Sequence, residues 1–430
     1  MSLFGSLFTG VSALSAQSSS LSMISNNIAN ANTIGYKDVY ADFSSLVTDS
    51  GTSGDYSSGG VLANTINTTA DQGSLEQTSS PTDIAVSGSG FFVVRAEPSD
   101  TSPVMYTRSG SFTENENGYL VNTSGNVLYA WPLDANGNIP ASDQSLESLV
   151  PVNVSLLGGK TEPTSSATLA MNLNSAQTVD HATDFSRSIT VYDSQGGAET
   201  LNVNFSKTAS NTWNMSVTDN ATPPNPLLPE NLPATVPPTY TVPVTFNADG
   251  SIDTVNGVAA TTPFSVAGTA GTGINWGNGT STSQTIALDL SGVTQYNSSY
   301  NVTSITQNGA SLGTRTGVEI DSNGIVSATF SNGTTANLYQ IPLATFANPD
   351  GLESQNGNAY TSTDSSGDYN LAVANTSGAG SISSDALESS NVDIADEYSK
   401  MIVTERSYSA ASKIISTVDQ MLQTLEQVVH

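Results

Sequence analysis

The sequence predicts a mainly β protein with long terminal α-helices, its β domains nested and discontinuous on an N-/C-terminal helical coiled coil. Three observations predict this. From Ser381 to His430 there is no Gly and no Pro, and from Val11 to Ile34 there is again none, in a chain with 36 Gly and 18 Pro. In both stretches apolar residues recur mostly at spacings of three and four, the stripe of a helix that packs on another helix. Between them the pattern changes to short apolar alternations divided by Gly, Asn, Asp and Pro, as strands and turns require.

The amino-terminal helix is expected within residues 1–34. Phe4, Leu7, Val11, Leu14, Leu21 and Ile28 fall on one stripe, with Ser18 and Ser25 filling two of its places. The carboxyl-terminal helix is expected within 388–430. Ile394, Met401, Tyr408, Ala411, Ile415, Val418, Leu422, Leu425 and Val429 form its stripe, and Glu397 and Thr404 are polar interruptions. Ser390 and Asn391 are expected N-caps, and Asp393, Asp396 and Glu397 place negative charge where the helix dipole favours it. Some thirty-five residues make a rod of roughly 50 Å. A rod with a narrow apolar stripe needs a partner, and narrow Ser-rich stripes suit helix-on-helix contact better than a broad globular core. The two helices are therefore expected to pair with each other and with neighbouring copies. The expected polymerisation interface is Leu7, Val11, Leu14, Leu21, Ile28, Ile394, Met401, Tyr408, Ile415, Val418, Leu422 and Leu425.

Composition narrows the partners. Ten Lys plus Arg against 38 Asp plus Glu give a net charge of −28, which repels nucleic acid and anionic membrane. Only 11% of residues are charged, so Ser, Thr, Asn and Gly keep the surface wet. There is no Cys, hence no disulfide, thiolate chemistry or cysteine metal site. No apolar run approaches the ~20 residues of a membrane span. No cleavable signal peptide is expected, because the first Lys is Lys37 and the amino end is amphipathic. That implies a cytoplasmic protein, or one exported by a route that needs no such peptide.

The amino-terminal helix runs out in Asn26-Asn27-Ile28-Ala29-Asn30-Ala31-Asn32-Thr33-Ile34-Gly35-Tyr36-Lys37. Asn competes for backbone hydrogen bonds and Gly accepts left-handed dihedrals, so this is a helix exit. Ser25 to Asn30 followed by Thr33 to Lys37 resembles the amino-terminal motif of bacterial flagellar rod and hook proteins. Ser390-Asn391-Val392-Asp393, Met401 to Tyr408 and Met421 to Leu425 are similar to the closing helix of that family. The motif residues carried over are Asn26, Asn27, Asn30, Gly35, Tyr36, Lys37, Asn391 and Asp393.

Residues 35–72 are rich in Ser, Thr, Gly and Asp, the composition of a linker, with Tyr40, Phe43, Leu46, Val61, Leu62 and Ile66 as anchors. The resemblance implies an extended connector there. Residues 73–150 turn to short strands: Asp83 to Val86, Phe91 to Val94, Tyr106 to Phe112, then the hairpin turn Asn117-Gly118 before Tyr119 to Val121, and Asn126 to Trp131. Residues 151–315 read as an inserted outer antiparallel β-sandwich or barrel. Its strands are expected at Ser188–Tyr192, Leu201–Phe205 and Asn211–Val217, with Phe264, Trp276 and Leu288 in later ones. Pro223 to Pro238 is proline-dense and is expected as an extended loop rather than a strand or helix. Residues 316–387 bring back β structure from Val318 and close at Asn348 to Leu352. The order is nested, with 73–150 and 316–387 forming one discontinuous inner domain around the insert.

Catalytic chemistry is scarce. The only histidines are His181 and His430, and His181 lies in a polar stretch with Asp180 and Asp184. A Ser-His-Asp triad at His181 is formal only. Asp134-Ala135-Asn136-Gly137-Asn138 and Asp321-Ser322-Asn323-Gly324 look like calcium loops, but the first lacks its closing Glu because position 145 is Ser, and both read as β-turns. Gly88-Ser89-Gly90 precedes a strand rather than a helix, so it is not a phosphate loop. No two of the acids are singled out as a glycosidase pair. No catalytic, cofactor-binding or metal residues are expected, and no enzyme activity.

The resemblance implies a structural subunit of the flagellar hook, polymerising into a curved flexible tube that passes motor torque to the filament. It implies a homopolymer that meets rod, hook-cap and hook–filament junction proteins, lies outside the cell continuous with the basal body, and leaves through the flagellar type III export apparatus. A distal rod protein shares the end motifs but is expected to lack the insert. A secreted acidic β-rich adhesin or enzyme is the reading from another class.

Overall fold

The two stretches without Gly or Pro become two long helices in a computed structural model of the chain, α1 (Leu3–Ala29) and α2 (Ile394–Val429). Residues 3–46, 59–99, 101–134, 137–140, 145–155, 158–179, 184–220, 226–229, 240–267, 274–276 and 284–429 are described. Among the described residues between the helices the structure is strand, turn and one short 3-10 segment. Among the described residues no helix is long and apolar enough to cross a membrane. The chain divides into two units: Met1–Leu156 with Val318–Ala328 and Asn337–His430, and Leu157–Gly317 with Thr329–Ala336.

In the first unit Phe92–Arg95 is an inner strand, antiparallel to Met105–Thr107 on one side and Val127–Pro132 on the other. Successive side chains of a strand point to opposite faces. Phe92 and Val94 therefore join a core with Ile84, Leu120 and Leu128, while Phe91 and Val93 join one with Tyr106, Tyr129 and Trp131. Both faces are covered, which is why Phe91 to Val94 are all apolar rather than alternating. The expected hairpin is present: Phe112–Glu114 pairs with Leu120–Asn122, and Gly118 takes φ +80° in the turn.

Residues near the two ends are stitched together. Leu75–Gln77 pairs with Ala386–Glu388, and Ile84–Ser87 pairs with Ser381–Ser384. This brings the start of α2 beside the end of α1. Part of the 35–72 segment is a two-stranded antiparallel ribbon, β1 (Val39–Ser45) and β2 (Val61–Asn67). It is held to α1 by Thr9 Oγ1 donating to the Gly59 carbonyl at 2.7 Å and by the Val61 N–H donating to Ser12 Oγ at 3.2 Å.

The second unit has one core, in which Leu169, Met171, Val203, Trp213 and Leu288 are fully enclosed. Phe185–Tyr192, Ala198–Ala209 and Thr212–Thr218 form an antiparallel meander at the positions the alternation predicts. Two expectations are corrected. The unit is not wholly antiparallel: Ser166–Asn172 runs parallel to Ile286–Asp289 and Val293–Thr294. Strands separated by more than a hundred residues have no short hairpin to dictate direction. Pro226–Pro229, inside the expected proline loop, is a strand bridging Thr212–Thr218 and Phe264–Ala267. Its two leucines sit between the prolines and supply the ladder N–H groups that proline lacks. The remaining prolines of that stretch, His181 with Asp180, and His430 lie outside the described residues, as do Ala135 and Asn136 of the first calcium-like loop. Asp134 and Asp321 both act as turn residues: Asp134 Oδ1 accepts from the Asn138 N–H at 2.8 Å, and Asp321 Oδ1 from the Asn323 and Ile325 N–H groups at 2.9 and 2.8 Å.

Candidate functional site

The helix pair and its root carry most of the residues singled out by the sequence. The helices are antiparallel. Asn27 near the end of α1 donates to Glu397 Oε2 near the start of α2 at 3.1 Å, whereas a Cβ at Gly10 would lie 3.1 Å from Ile415 Cγ1. Among the described side chains of α2 the buried positions are Glu397, Thr404, Ala411 and Val418, seven residues apart, as a coiled-coil seam demands. The two polar interruptions are thus seam residues. Glu397 is 2% exposed and is held by Asn27 and by Lys400 Nζ at 2.6 Å. A polar pair at one seam position fixes register, at some cost in stability.

On α1 the buried face is Gly10, Ala16, Ser20, Ile24 and Asn27. Small residues let the helix axes approach closely, and this face sits beside the expected apolar stripe rather than on it. Leu7, Leu14, Leu21 and Ile28 are half-buried and Val11 is 52% exposed. On α2, Met401, Ile415 and Leu422 are half-buried, Val418 is buried, and Ile394 and Tyr408 are exposed. The side chains of Phe4 and Leu425 lie outside the described residues. The chain's own pairing therefore leaves much of both predicted stripes accessible to a further partner.

The motif residues at the root form a hydrogen-bond network. Asn30 caps the end of α1, its Nδ2 donating to the Asn26 carbonyl at 2.9 Å. Asn26 Nδ2 donates to Tyr36 Oη at 3.2 Å, and Tyr36 Oη donates to Asn27 Oδ1 at 3.1 Å. Asn27 also exchanges bonds with the Val39 backbone at 2.9 and 3.1 Å. Burial, and behind it the charges of Asp38 and Glu397, push the Tyr36 phenol above its ordinary pKa. Ser390 and Asn391, expected as N-caps, do not cap α2. Asp393 does, its Oδ1 accepting from the Ala395 and Asp396 N–H groups at 2.8 and 3.3 Å. A carboxylate at that position also meets the positive end of the helix dipole. Asn391 instead ties the connector to the root: its Nδ2 donates to Asp38 Oδ1 and Thr68 Oγ1, each at 3.0 Å, and its Oδ1 accepts from the Asp38 N–H at 2.8 Å.

Gly35 has two reasons to be glycine. Its φ is +68°, and a Cβ there would lie 2.7 Å from the Ser109 backbone nitrogen. Gly35→Ala is expected to lose at least about 2 kcal/mol, from left-handed strain plus a clash with backbone that cannot give way. Urea unfolding of the variant checks this; an unchanged midpoint would show that the turn relaxes.

Lys37 enters a buried ionic cluster that the sequence did not reveal. Its Nζ donates to Glu388 Oε1 and to the Asp71 carbonyl, and Arg108 Nη1 lies 3.4 Å from Glu388 Oε2. The side chains of Lys37, Arg108 and Glu388 are at most 2% exposed. Glu388 Oε1 also accepts from the Gly73 N–H at 2.9 Å, and the Glu388 carbonyl accepts from the Gly35 N–H at 2.7 Å. The Arg108 guanidinium stacks 4.9 Å from the centre of the Phe91 ring. Burial draws both the Lys37 and Arg108 pKa values down from their ordinary range, and Glu388 opposes the shift. Arg108 and Glu388 were not picked out in the sequence. One signal was available: with ten Lys and Arg in 430 residues, a cation inside a turn motif or a strand is worth asking about.

Four family descriptions match the chain. Residues 7–37 match "Flagella basal body rod protein" and 383–428 match "Flagellar basal body rod FlgEFG protein C-terminal". Residues 85–155 match "Flagellar hook protein FlgE/F/G D1 domain", and 163–310 match "Flagellar basal body protein FlaE D2 domain". Over its whole length the chain is similar to Flagellar hook protein FlgE of Rhizobium meliloti strain 1021, 35% identical over 425 residues and 99% of each chain. It is 35% identical to Flagellar hook protein FlgE of Brucella abortus over 432 residues, again 99% of each. It is 34% identical to that of Salmonella typhimurium strain LT2 over 428 residues, 96% of this chain and 98% of that one.

Proposed function

The chain belongs to the flagellar hook protein FlgE family, and from that membership we propose that it is the subunit of the flagellar hook, a self-assembling structural protein rather than an enzyme. The observation that carries this reading is whole-length similarity to hook proteins, including the 163–310 stretch that a rod protein is expected to lack. The helix pair supports it physically. Its internal seam uses mainly small and polar residues, and Leu7, Leu14 and Leu21 of α1 with Ile394, Met401 and Tyr408 of α2 keep surface for neighbouring copies. Head-to-tail contacts between different patches of identical chains build open helical assemblies where the rotation does not close into a ring. The tube carries motor torque to the filament, with rod, cap and junction proteins at its ends. The subunit reaches its place through the type III export apparatus of the flagellum.

Immunogold microscopy of cells and extracted flagella, with antibody against residues 160–310, tests the reading. Label is expected on the short curved segment between the cell surface and the filament. Label on the straight basal rod would make this a rod subunit instead, and label on neither would remove it from the flagellum.

A further inference from the structure

A groove of about 710 Å³ runs beside the helix pair, walled by α1, α2 and β1. Of its three acidic residues, Asp38, Asp71 and Glu397, two are already engaged within the chain. Asp38 accepts from Asn391 at 3.0 Å and from Thr68, and Glu397 accepts from Asn27 at 3.1 Å and Lys400 at 2.6 Å. Most of what is left for a guest is apolar: Met23, Val39, Tyr40, Phe43 and Val403. Tyr40, Phe43 and Val403 are 44%, 43% and 64% exposed. A basic guest would be desolvated here with only the Asp71 carboxylate to meet it, and next to carboxylates an acidic one is repelled. An uncharged apolar knob meets neither cost.

The start of α1 fits that description. The 27 residues of α1 contain no acidic or basic residue, and its early turns expose Phe8 (56%) and Val11 (52%). The outer face of α2 has exposed apolar residues too, but they are interleaved with Glu405, Arg406, Lys413 and Asp419. Phe8 precedes Met23 by fifteen residues of one helix, about 22 Å along its axis, so a copy cannot bring Phe8 to its own groove. We propose that the groove between α1, α2 and β1 receives the Phe8–Val11 turn of α1 from a second copy of this chain. The proposal rests on the hook-subunit reading and adds the donor and acceptor of one contact. Because they are different patches of the same chain, a copy that donates to one neighbour and accepts from another passes the contact on from copy to copy.

The chain has no Cys, so introduced thiols are unambiguous. F8C copies and F43C copies are assembled together as minor components of wild-type polymer and oxidised. A disulfide needs Cβ atoms about 4 Å apart. The expected product is the mixed F8C–F43C dimer, absent when either variant is present alone, with V11C and Y40C as a second pair. The double variant F8C/F43C is expected to give an open ladder of sizes. F8A is expected to raise the critical concentration for assembly roughly tenfold, as loss of one buried Phe side chain implies. Polymer in which neither pair cross-links, or in which F8C copies link to each other, overturns the docking and leaves the hook reading intact. A wild-type chain that forms no polymer overturns the hook reading itself.

Discussion

Glu388→Ala is expected to lose about 3–5 kcal/mol of unfolding free energy, the cost of leaving buried charge without its counter-ion. Two cations converge on this carboxylate, and Arg108 Nε has no partner that would absorb the change. Glu388→Gln keeps the shape and the amide oxygen facing the Gly73 N–H but removes the charge, so it is expected to recover only part of the loss. Lys37→Met combined with Glu388→Gln is expected to cost less than the sum of the singles, because Lys37→Met removes one of the two cations that Glu388→Gln leaves without a counter-ion. Urea unfolding followed by circular dichroism measures all three. A loss below about 1 kcal/mol for Glu388→Ala would mean that water reaches the cluster and that it does not hold the root together.

The second large effect falls on assembly rather than on folding. Removal of residues 1–30, or of 392–430, is expected to abolish polymerisation while the β units keep their spectrum and cooperative unfolding. Either deletion takes away one side of the helix seam, leaving Ala411 and Val418, or Ala16 and Ile24, facing water. Neither deletion touches Lys37, Arg108 or Glu388, so the cluster survives. The two predictions therefore separate: Glu388 governs the stability of the body, and the helices govern tube formation. Electron microscopy of the truncated proteins under conditions where the full chain polymerises is the check. Tubes from either truncate would end the argument that the helices build the polymer.

Much of this organisation is local and was legible in the sequence. A long stretch free of Gly and Pro, with apolar residues at spacings of three and four, is a helix wherever it sits, because propensity and periodicity agree. The helix exit at Asn30 to Gly35 follows from backbone chemistry within a few residues, as does the Gly118 hairpin. The strands from Ile84 to Trp131 and the meander from Phe185 to Thr218 follow from side-chain alternation.

Tertiary structure decided what depends on partners far away in the chain. Periodicity shows that α1 has a stripe but not which face meets α2; close approach favours Gly10, Ala16 and Ser20 over the leucines, since small residues bring the helix axes together. Asn391 was a fair N-cap by residue type, yet Asp393 caps, because Asn391 is claimed by Asp38 and Thr68 more than three hundred residues earlier. Pro226–Pro229 is a strand only because two other strands flank it. Lys37 and Glu388 are 351 positions apart, and no local pattern marks them as a pair. Charge pairing acts through space, so only the fold that closes the two ends of the chain onto one body turns those residues into a cluster.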